Sequence, residues 1–157
     1  SLMNFVQLSP MEATELVPGC IHAYVSGLGI ELMASSDNVL RGGLTGKHIN
    51  PTELQKVVRF ERDLNRIVDA KKLSEGLWQY QTIAEDYLLY RIEVSGHNLL
   101  ADIKIENPAV LLVTAGEVVV GDSLEAREVV RKGEAVYLAD AKFYSFTGSG
   151  TAFLATF

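Results

Sequence analysis

The sequence is poor in the features that mark secreted and membrane proteins. It has a single cysteine, Cys20, which excludes an internal disulfide and favours a reducing compartment. Its longest apolar runs, such as residues 109–113, are too short to span a bilayer. The first residues also lack the charged, apolar and small-residue succession of a secretory signal. We therefore predict a cytoplasmic protein without a membrane partner.

An excess of basic residues is also absent, since the formal net charge is −6. Such an acidic surface repels a phosphate backbone, and we predict that the protein does not bind nucleic acid. A small anionic substrate is not excluded, because a local cluster of Arg and Lys overrides the global sign of the charge.

The chain is long and apolar enough to bury a core. It has 157 residues, of which 48% are hydrophobic, and this is the size of one domain, or of one domain with part of another. Residues 1–3 look like an addition ahead of a chosen start. We therefore expect native sequence to be missing upstream.

Short runs of β-type residues between glycines dominate the N-terminal part, which is typical of strands. The predicted strands are 4–8, 12–17, 22–26, 28–34 and 39–42. These are few strands for an independent sandwich, and an open sheet exposes unpaired edges. Two alternatives remain: this part belongs to a larger barrel, or the protein is a homodimer that pairs through its exposed edge strands.

One helix is predicted after these strands. Asn50 fits the N-cap position, Pro51 the first helical position and Glu53 a capping box. Apolar residues at helical spacing extend the pattern to about residue 62. Residues 63–76 are rich in charge and are typical of a linker.

From residue 77 onward, one short strand pattern follows another. The predicted strands are 79–83, 87–94, 101–106, 109–114, 117–121, 126–130, 134–139, 142–147 and 151–157. Many short strands at regular spacing indicate a sandwich or barrel, here a jelly roll of the cupin kind. We predict a mainly β fold with one short helix: residues 1–50 hold strands of a second, incomplete cupin barrel, 51–76 a helix and linker, and 77–157 a cupin-like barrel.

Residues 22–47 combine an unusual number of polar groups. Side chains alternate along a strand, so His22 and Tyr24 project from one face of the predicted strand 22–26. Glu31 lies on the next predicted strand, 28–34. If the strands pair, these groups converge with the charged residues Asp37, Arg41 and Lys47. Such a set suits binding of an anionic sugar and proton transfer. The spacing alone also allows ordinary alternatives: a structural histidine, an Arg41–Asp37 salt bridge in a turn, and a solvated Lys47.

The string as a whole resembles the second signature region of the type I phosphomannose isomerases. The matching positions are His22-Ala23-Tyr24, Gly27, Glu31-Leu32-Met33-Ala34, Ser36-Asp37-Asn38, Arg41-Gly42-Gly43 and Thr45-Gly46-Lys47. Gly42 and Gly46 depart from the alanine and proline usual in that family, which loosens the loop without removing a reactive group. The downstream helix and β-domain also fit the C-terminal portion of these enzymes.

The resemblance implies an aldose–ketose isomerase that interconverts mannose 6-phosphate and fructose 6-phosphate through an enediol, assisted by zinc. By the same resemblance His22 is a zinc ligand, and Arg41 stabilises the enediolate. Glu31 and Asp37 are the acid/base candidates, which the sequence does not rank. Lys47 and Tyr24 bind the sugar phosphate.

The other zinc ligands that the resemblance implies, a Gln-x-His pair and a glutamate, have no counterpart in this chain. His48 and His97 are not at ligand spacing from His22, and one histidine does not hold catalytic zinc. We therefore expect zinc in the full-length enzyme, none bound by this chain alone, and no activity from the isolated chain. The alternative function is a non-catalytic, cupin-like module that binds a sugar phosphate or supports oligomers.

Overall fold

The computed structural model describes residues 3–36, 39–61, 65–96, 98–122, 127–139 and 142–157, with the backbone alone at 101 and 102. Within it the chain divides into two compact units, residues 1–69 and 70–157. The elements in chain order are β1 (Ala13–Leu16), α1 (Pro51–Val57), β2 (Asn65–Val68), β3 (Ala70–Ser74), β4 (Leu77–Tyr80), β5 (Leu88–Val94), β6 (Leu100–Ile105), β7 (Ala109–Asp122), β8 (Arg127–Arg131), β9 (Ala135–Leu138) and β10 (Lys142–Thr156). This composition confirms the mainly β prediction with one short helix.

The second unit is a single antiparallel sheet system organised by its two longest strands. The main path runs β3-β4-β5-β10-β7-β8, with β6 paired to β10 and β9 paired to β7. β7 and β10 pair along most of their lengths, from Tyr144 opposite Asp122 to Ala155 opposite Val110. Each of these two strands therefore also pairs with two different strands along its length: β10 with β5 and β6, and β7 with β8 and β9. The β7–β10 pair thus belongs to both halves of the sheet system.

Glycine makes the middle of the β7–β10 pair possible. Gly116 has a φ of +65° and lies opposite Gly150. A Cβ on Gly116 would overlap the Ser149 carbonyl oxygen, and one on Gly150 would meet the Ala115 carbonyl oxygen. The register shifts next to this point, between Thr151 and Ala152. The two strands therefore approach closely and bend where neither has a side chain.

The core of the second unit comes from alternate positions on these strands, as the period of two requires. On β7 Leu111, Val113 and Val118 are fully buried, and on β10 Phe146 is. Each fully buried side chain removes apolar surface from water and contributes about 1.5–3 kcal/mol. The largest fully buried side chains are Phe146, Ile92, Leu111, Leu138, Val113 and Val118.

The first unit contains one antiparallel pair and the helix. β1 pairs with β2 from Ala13 opposite Val68 to Leu16 opposite Asn65. At the start of α1 the Asn50 side chain accepts a hydrogen bond from the Glu53 backbone N–H at 3.2 Å, and Pro51 stands at the first turn. The predicted N-terminus of the helix is therefore confirmed.

The helix ends earlier than predicted, at Val57 instead of about residue 62. Val58 is extended, with φ −67° and ψ 137°, and the next backbone N–H, that of Arg59, donates to the Gly19 carbonyl at 3.0 Å. This contact with a distant part of the chain replaces further helical hydrogen bonds. The apolar spacing beyond Val57 does not predict this end of the helix.

Several predicted strands of the N-terminal part were wrong. Among the described residues, 4–8, 22–26, 28–34 and 39–42 form no strand, whereas 12–17 does contain β1. Alternation alone does not make a strand, because the backbone also needs a partner for its hydrogen bonds. Conversely, the segment predicted as a linker contains β2 and β3, whose charged residues lie on exposed positions. None of the described helices is long and apolar enough to cross a membrane.

Replacement of a core aromatic residue on β10 tests this packing. Phe146→Ala is expected to lower the free energy of unfolding by about 3–5 kcal/mol, because it leaves a cavity among fully buried side chains. Phe143→Ala on the same strand is the matched control, since Phe143 is 46% exposed and Phe146 is 0% exposed. Urea unfolding followed by circular dichroism measures both, and equal losses for the two variants would contradict the assignment of the core.

Candidate active site

His22 lies on an exposed, irregular segment of the first unit, and one side of its ring is fixed. Its Nδ1 is 3.0 Å from the carbonyl oxygen of Cys20. A carbonyl oxygen only accepts hydrogen bonds, so Nδ1 carries the proton and Nε2 carries the lone pair. This is the arrangement in which a histidine binds a metal through Nε2 while a backbone carbonyl orients its ring.

Tyr24 connects His22 to the first acid/base candidate. The Tyr24 hydroxyl donates a hydrogen bond to Glu31 Oε1 at 2.8 Å. The rings of His22 and Tyr24 meet edge to face, with centroids 5.8 Å apart and planes at 63°. Partial burial, followed by the hydrogen bond and the negative charge of Glu31, raises the pKa of Tyr24. The structure therefore brings three of the predicted site residues together, although not on the predicted strands.

The two predicted cations are not joined to this group by any described contact. Arg41 is half-buried and Lys47 is exposed. Within the described residues, no hydrogen bond or ion pair joins either side chain to His22, Tyr24 or Glu31. Asp37, the remaining candidate, lies outside the described residues. The turn salt bridge between Arg41 and Asp37 therefore stays a prediction.

The loop that carries the cations is shaped by its glycines and one unusual residue. Gly43 has a φ of +144° and Leu44 a φ of +55°. A Cβ on Gly42 would lie 3.1 Å from Ile21 Cγ2, whereas a Cβ on Gly46 meets nothing within 4 Å. Of the two departures from the family pattern, Gly42 thus fits a tight contact. Gly46 has open space where a side chain would stand.

The described residues do not by themselves fit a zinc site. Among them, no group of three or more His, Cys, Asp or Glu side chains could hold a metal ion. His48 is exposed, and His97 lies outside the described residues. A catalytic zinc ion normally requires three protein ligands, and His22 supplies one.

A cleft in the second unit was not found by sequence reasoning. Trp78 is half-buried and lines this cleft together with Glu93 and Asn98. These residues come from β4, β5 and the turn that follows β5, and other lining residues come from β7 and β10. Only the pairing of distant strands brings them together, so no local pattern could reveal the cleft.

The chain resembles known proteins over nearly its whole length, although no family model matches it. Mannose-6-phosphate isomerase of Salmonella typhimurium is 34% identical over 154 residues, which are 95% of this chain and 38% of that protein. The probable mannose-6-phosphate isomerase of Caenorhabditis elegans is 30% identical over 87% of the chain and 33% of its own length. The predicted resemblance to the mannose-6-phosphate isomerases is confirmed. The chain spans about a third of the length of these relatives.

Solved structures of the same enzymes share the fold. A lysine-to-alanine variant of phosphomannose isomerase from Salmonella typhimurium matches with a TM-score of 0.64 and 28% identity, over 78% of this chain and 32% of that one. A mannose 6-phosphate isomerase bound with zinc and yttrium matches with a TM-score of 0.62 and 27% identity, over 76% of this chain and 30% of that one. This likeness confirms the expected cupin-like fold class.

Substitution of Glu31 tests the contact at the centre of the site. Glu31→Gln removes the negative charge and weakens the hydrogen bond, so the pKa of Tyr24 is expected to fall toward its ordinary value of 10.0. A titration of the tyrosine Cζ signals by NMR, with Tyr24→Phe to assign the resonance, measures this change. Glu53→Gln is the control, because Glu53 pairs with Lys56 instead. An unchanged pKa of Tyr24 in Glu31→Gln would contradict the contact.

Proposed function

We propose that this chain forms part of a mannose-6-phosphate isomerase, which converts mannose 6-phosphate and fructose 6-phosphate into each other in the cytoplasm. The observation that carries the proposal is the similarity to enzymes of that name over 95% of the chain, which includes the polar stretch 22–47. Because the chain spans only 38% of that relative, the activity belongs to a larger assembly of residues to which this chain contributes.

The reaction moves a proton between two neighbouring carbons of the sugar, so it needs a base, an acid and a stabilising cation. Glu31 and Asp37 remain the two candidates for proton transfer. The hydrogen bond from the Tyr24 hydroxyl holds one oxygen of the Glu31 carboxylate, which supports a role for Glu31 in proton transfer. Tyr24 itself then contacts the substrate through its ring, or accepts a hydrogen bond from a sugar hydroxyl at its phenolic oxygen.

The cations would act on the negative charges of the substrate and the intermediate. We propose that Arg41 lies beside the reacting carbons and stabilises the negative charge of the enediolate. Lys47, at the exposed end of the same loop, would bind the phosphate as a flexible point charge. Both roles require these side chains to reach the same substrate as His22 and Glu31, to which no described contact joins them.

Zinc is proposed as the cofactor of the complete site. The mannose 6-phosphate isomerase bound with zinc and yttrium supports this, as does the free lone pair that the Cys20 contact leaves on His22 Nε2. The remaining ligands would come from outside the residues described here. The proton-transfer roles above are therefore assigned to protein groups alone. Dimerisation through exposed edge strands stays a separate prediction.

The isolated chain is expected to show no isomerase turnover and to bind zinc at well below one ion per chain, because one histidine does not make a catalytic zinc site. A coupled assay of fructose 6-phosphate formation and metal analysis after gel filtration measure both quantities. The Salmonella typhimurium enzyme, treated identically, is the positive control. Measurable turnover with stoichiometric zinc would contradict the proposal that this chain holds only part of the site.

A chimera tests the function itself. The matching segment of the Salmonella typhimurium enzyme is replaced by this chain, and the folded chimera is expected to convert mannose 6-phosphate. Arg41→Ala in the chimera is expected to lower kcat/KM by about 100-fold or more, the effect of removing a group that stabilises transition-state charge. Lys71→Ala, an exposed cation on β3, is the matched control and should change little.

Two further measurements on the chimera separate the competing explanations. His22→Ala is expected to lower the zinc content, whereas Arg41→Ala should leave it unchanged. A folded chimera that binds mannose 6-phosphate without converting it would instead favour the non-catalytic binding module.

A further inference from the structure

The second unit contains an open cleft that the proposed isomerase site does not use. Its volume is about 550 Å³, within the range of small-ligand sites. Residues from β4, β5, β7 and β10 meet around it. On the side formed by β7 and β10, the cleft is lined by Gly116 and Gly150, where the two paired strands approach closely. The cleft therefore forms at the most constrained point of the sheet system.

Hydrogen bonds fix the turn that closes one side of the cleft. The Asn98 side-chain oxygen accepts hydrogen bonds from the Ser95 backbone N–H and hydroxyl, and its amide nitrogen donates to the Glu93 carbonyl at 3.0 Å. Gly76 approaches the same carbonyl so closely that a Cβ there would overlap it. This side is thus ordered before any ligand binds, which lowers the entropic cost of binding.

Trp78 provides an aromatic side held in place by two cations. The Arg91 guanidinium lies 4.3 Å from the centroid of the indole ring, and the Lys72 ammonium lies 5.7 Å from it. Each cation is also paired with an acid that lines the cleft: Lys72 with Glu75 at 2.5 Å, and Arg91 with Glu93 at 3.1 Å. The ring is therefore fixed, and both cations are already neutralised.

Polar groups at the cleft have no partner within the part of the chain that the structure describes. This applies to the indole N–H of Trp78 and to the hydroxyls of Ser149 and Thr151, for which no hydrogen bond is recorded there. They supply one donor and two groups that both donate and accept. Solvent reaches the exposed Ser149 in this open cleft, and a ligand with several hydroxyl groups would replace that water.

The described lining of the cleft offers a phosphate no unpaired cation. Its charged residues are Glu75 and Glu93, which are paired with Lys72 and Arg91, and these two cations contact the Trp78 ring from outside the lining. A sugar phosphate would therefore find no cation to balance its negative charge. A neutral sugar would instead donate hydrogen bonds from its hydroxyls to the two carboxylates and place an apolar face against the edge of Trp78.

We propose that this cleft binds a neutral carbohydrate of about monosaccharide size, at a site separate from residues 22–47. The Thr151 and Ser149 hydroxyls and the Glu93 carboxylate bond the sugar hydroxyls, and Trp78 packs against the ring. This proposal does not depend on the isomerase activity, because its residues all lie in the second unit.

Trp78 is the sole tryptophan of the sequence, so its fluorescence reports on the cleft directly. The full 157-residue chain is titrated with D-mannose and, separately, with mannose 6-phosphate, two probes that differ in the phosphate. D-mannose is expected to give a saturable change with a Kd in the millimolar range, about −4 kcal/mol, typical of a small open site. Mannose 6-phosphate is expected to bind more weakly at this cleft.

Matched threonine variants locate the binding. Thr151→Val is expected to weaken D-mannose binding about fivefold, the effect of one lost hydrogen bond. Thr147→Val, on the same strand but outside the cleft lining, should bind as the unsubstituted chain does. Circular dichroism establishes that both variants are folded, and Ser149→Ala provides a second, independent test at an exposed position.

Three results would overturn the proposal. The first is a fluorescence signal that does not saturate with D-mannose. The second is equal affinity of D-mannose for Thr151→Val, Ser149→Ala and the unsubstituted chain. The third is tighter binding of mannose 6-phosphate than of D-mannose at Trp78, which would assign the cleft to a charged ligand.

Discussion

The antiparallel pairing of β7 with β10 is the constraint on which the rest of the second unit depends. β5 and β6 attach to β10, and β8 and β9 attach to β7. The shared pair bends at Gly116 and Gly150, where side chains would overlap the opposite backbone. Burial of Phe146 and Leu111 on the inner positions of these strands then joins the two halves into one core. The cleft beside Trp78 is a consequence of the same bend.

The first unit is organised differently, by a few contacts between distant parts of the chain. β1 pairs with β2 across fifty residues of intervening sequence, and the partly exposed Arg66 reaches the buried Glu15 at 3.6 Å. The Arg59 contact with the Gly19 carbonyl ends the helix. Between these contacts the described residues of the polar stretch, 22–36 and 39–47, form no strand. Its functional groups are therefore ordered by local hydrogen bonds, of which Tyr24 to Glu31 is the most informative.

Sequence reasoning succeeded where local chemistry determines local structure. The helix start follows from Asn50 and Pro51, because capping satisfies backbone groups within one turn. The strands of residues 77–157 were largely recovered, because their alternation coincides with partners in the same unit. Two predicted breaks were wrong, since 109–114 with 117–121 and 142–147 with 151–157 are the single strands β7 and β10. Apart from 12–17, which contains β1, the strands predicted before residue 43 failed for the opposite reason: alternation was present at 22–26 and 28–34, but no partner strand pairs with them in the described chain.

The candidate site was predictable to a similar extent. The motif at 22–47 identified the isomerase resemblance, and His22, Tyr24 and Glu31 do come together. Lys47 lies beyond Gly43 and Leu44, two residues with positive φ whose conformation no periodicity describes. The cleft in the second unit depends on the β7–β10 register, a long-range property that the sequence does not display.

The central claim is that residues 22–47 carry out proton transfer in a mannose-6-phosphate isomerase. The most direct test is the reaction of the chimera in deuterium oxide, with the product analysed by NMR. A proton that passes through a protein group exchanges with solvent. We therefore predict deuterium on the carbon that gains hydrogen, and much slower formation of this labelled product in Arg41→Ala. Product that retains only its original hydrogen would indicate a direct hydride shift and would contradict the account.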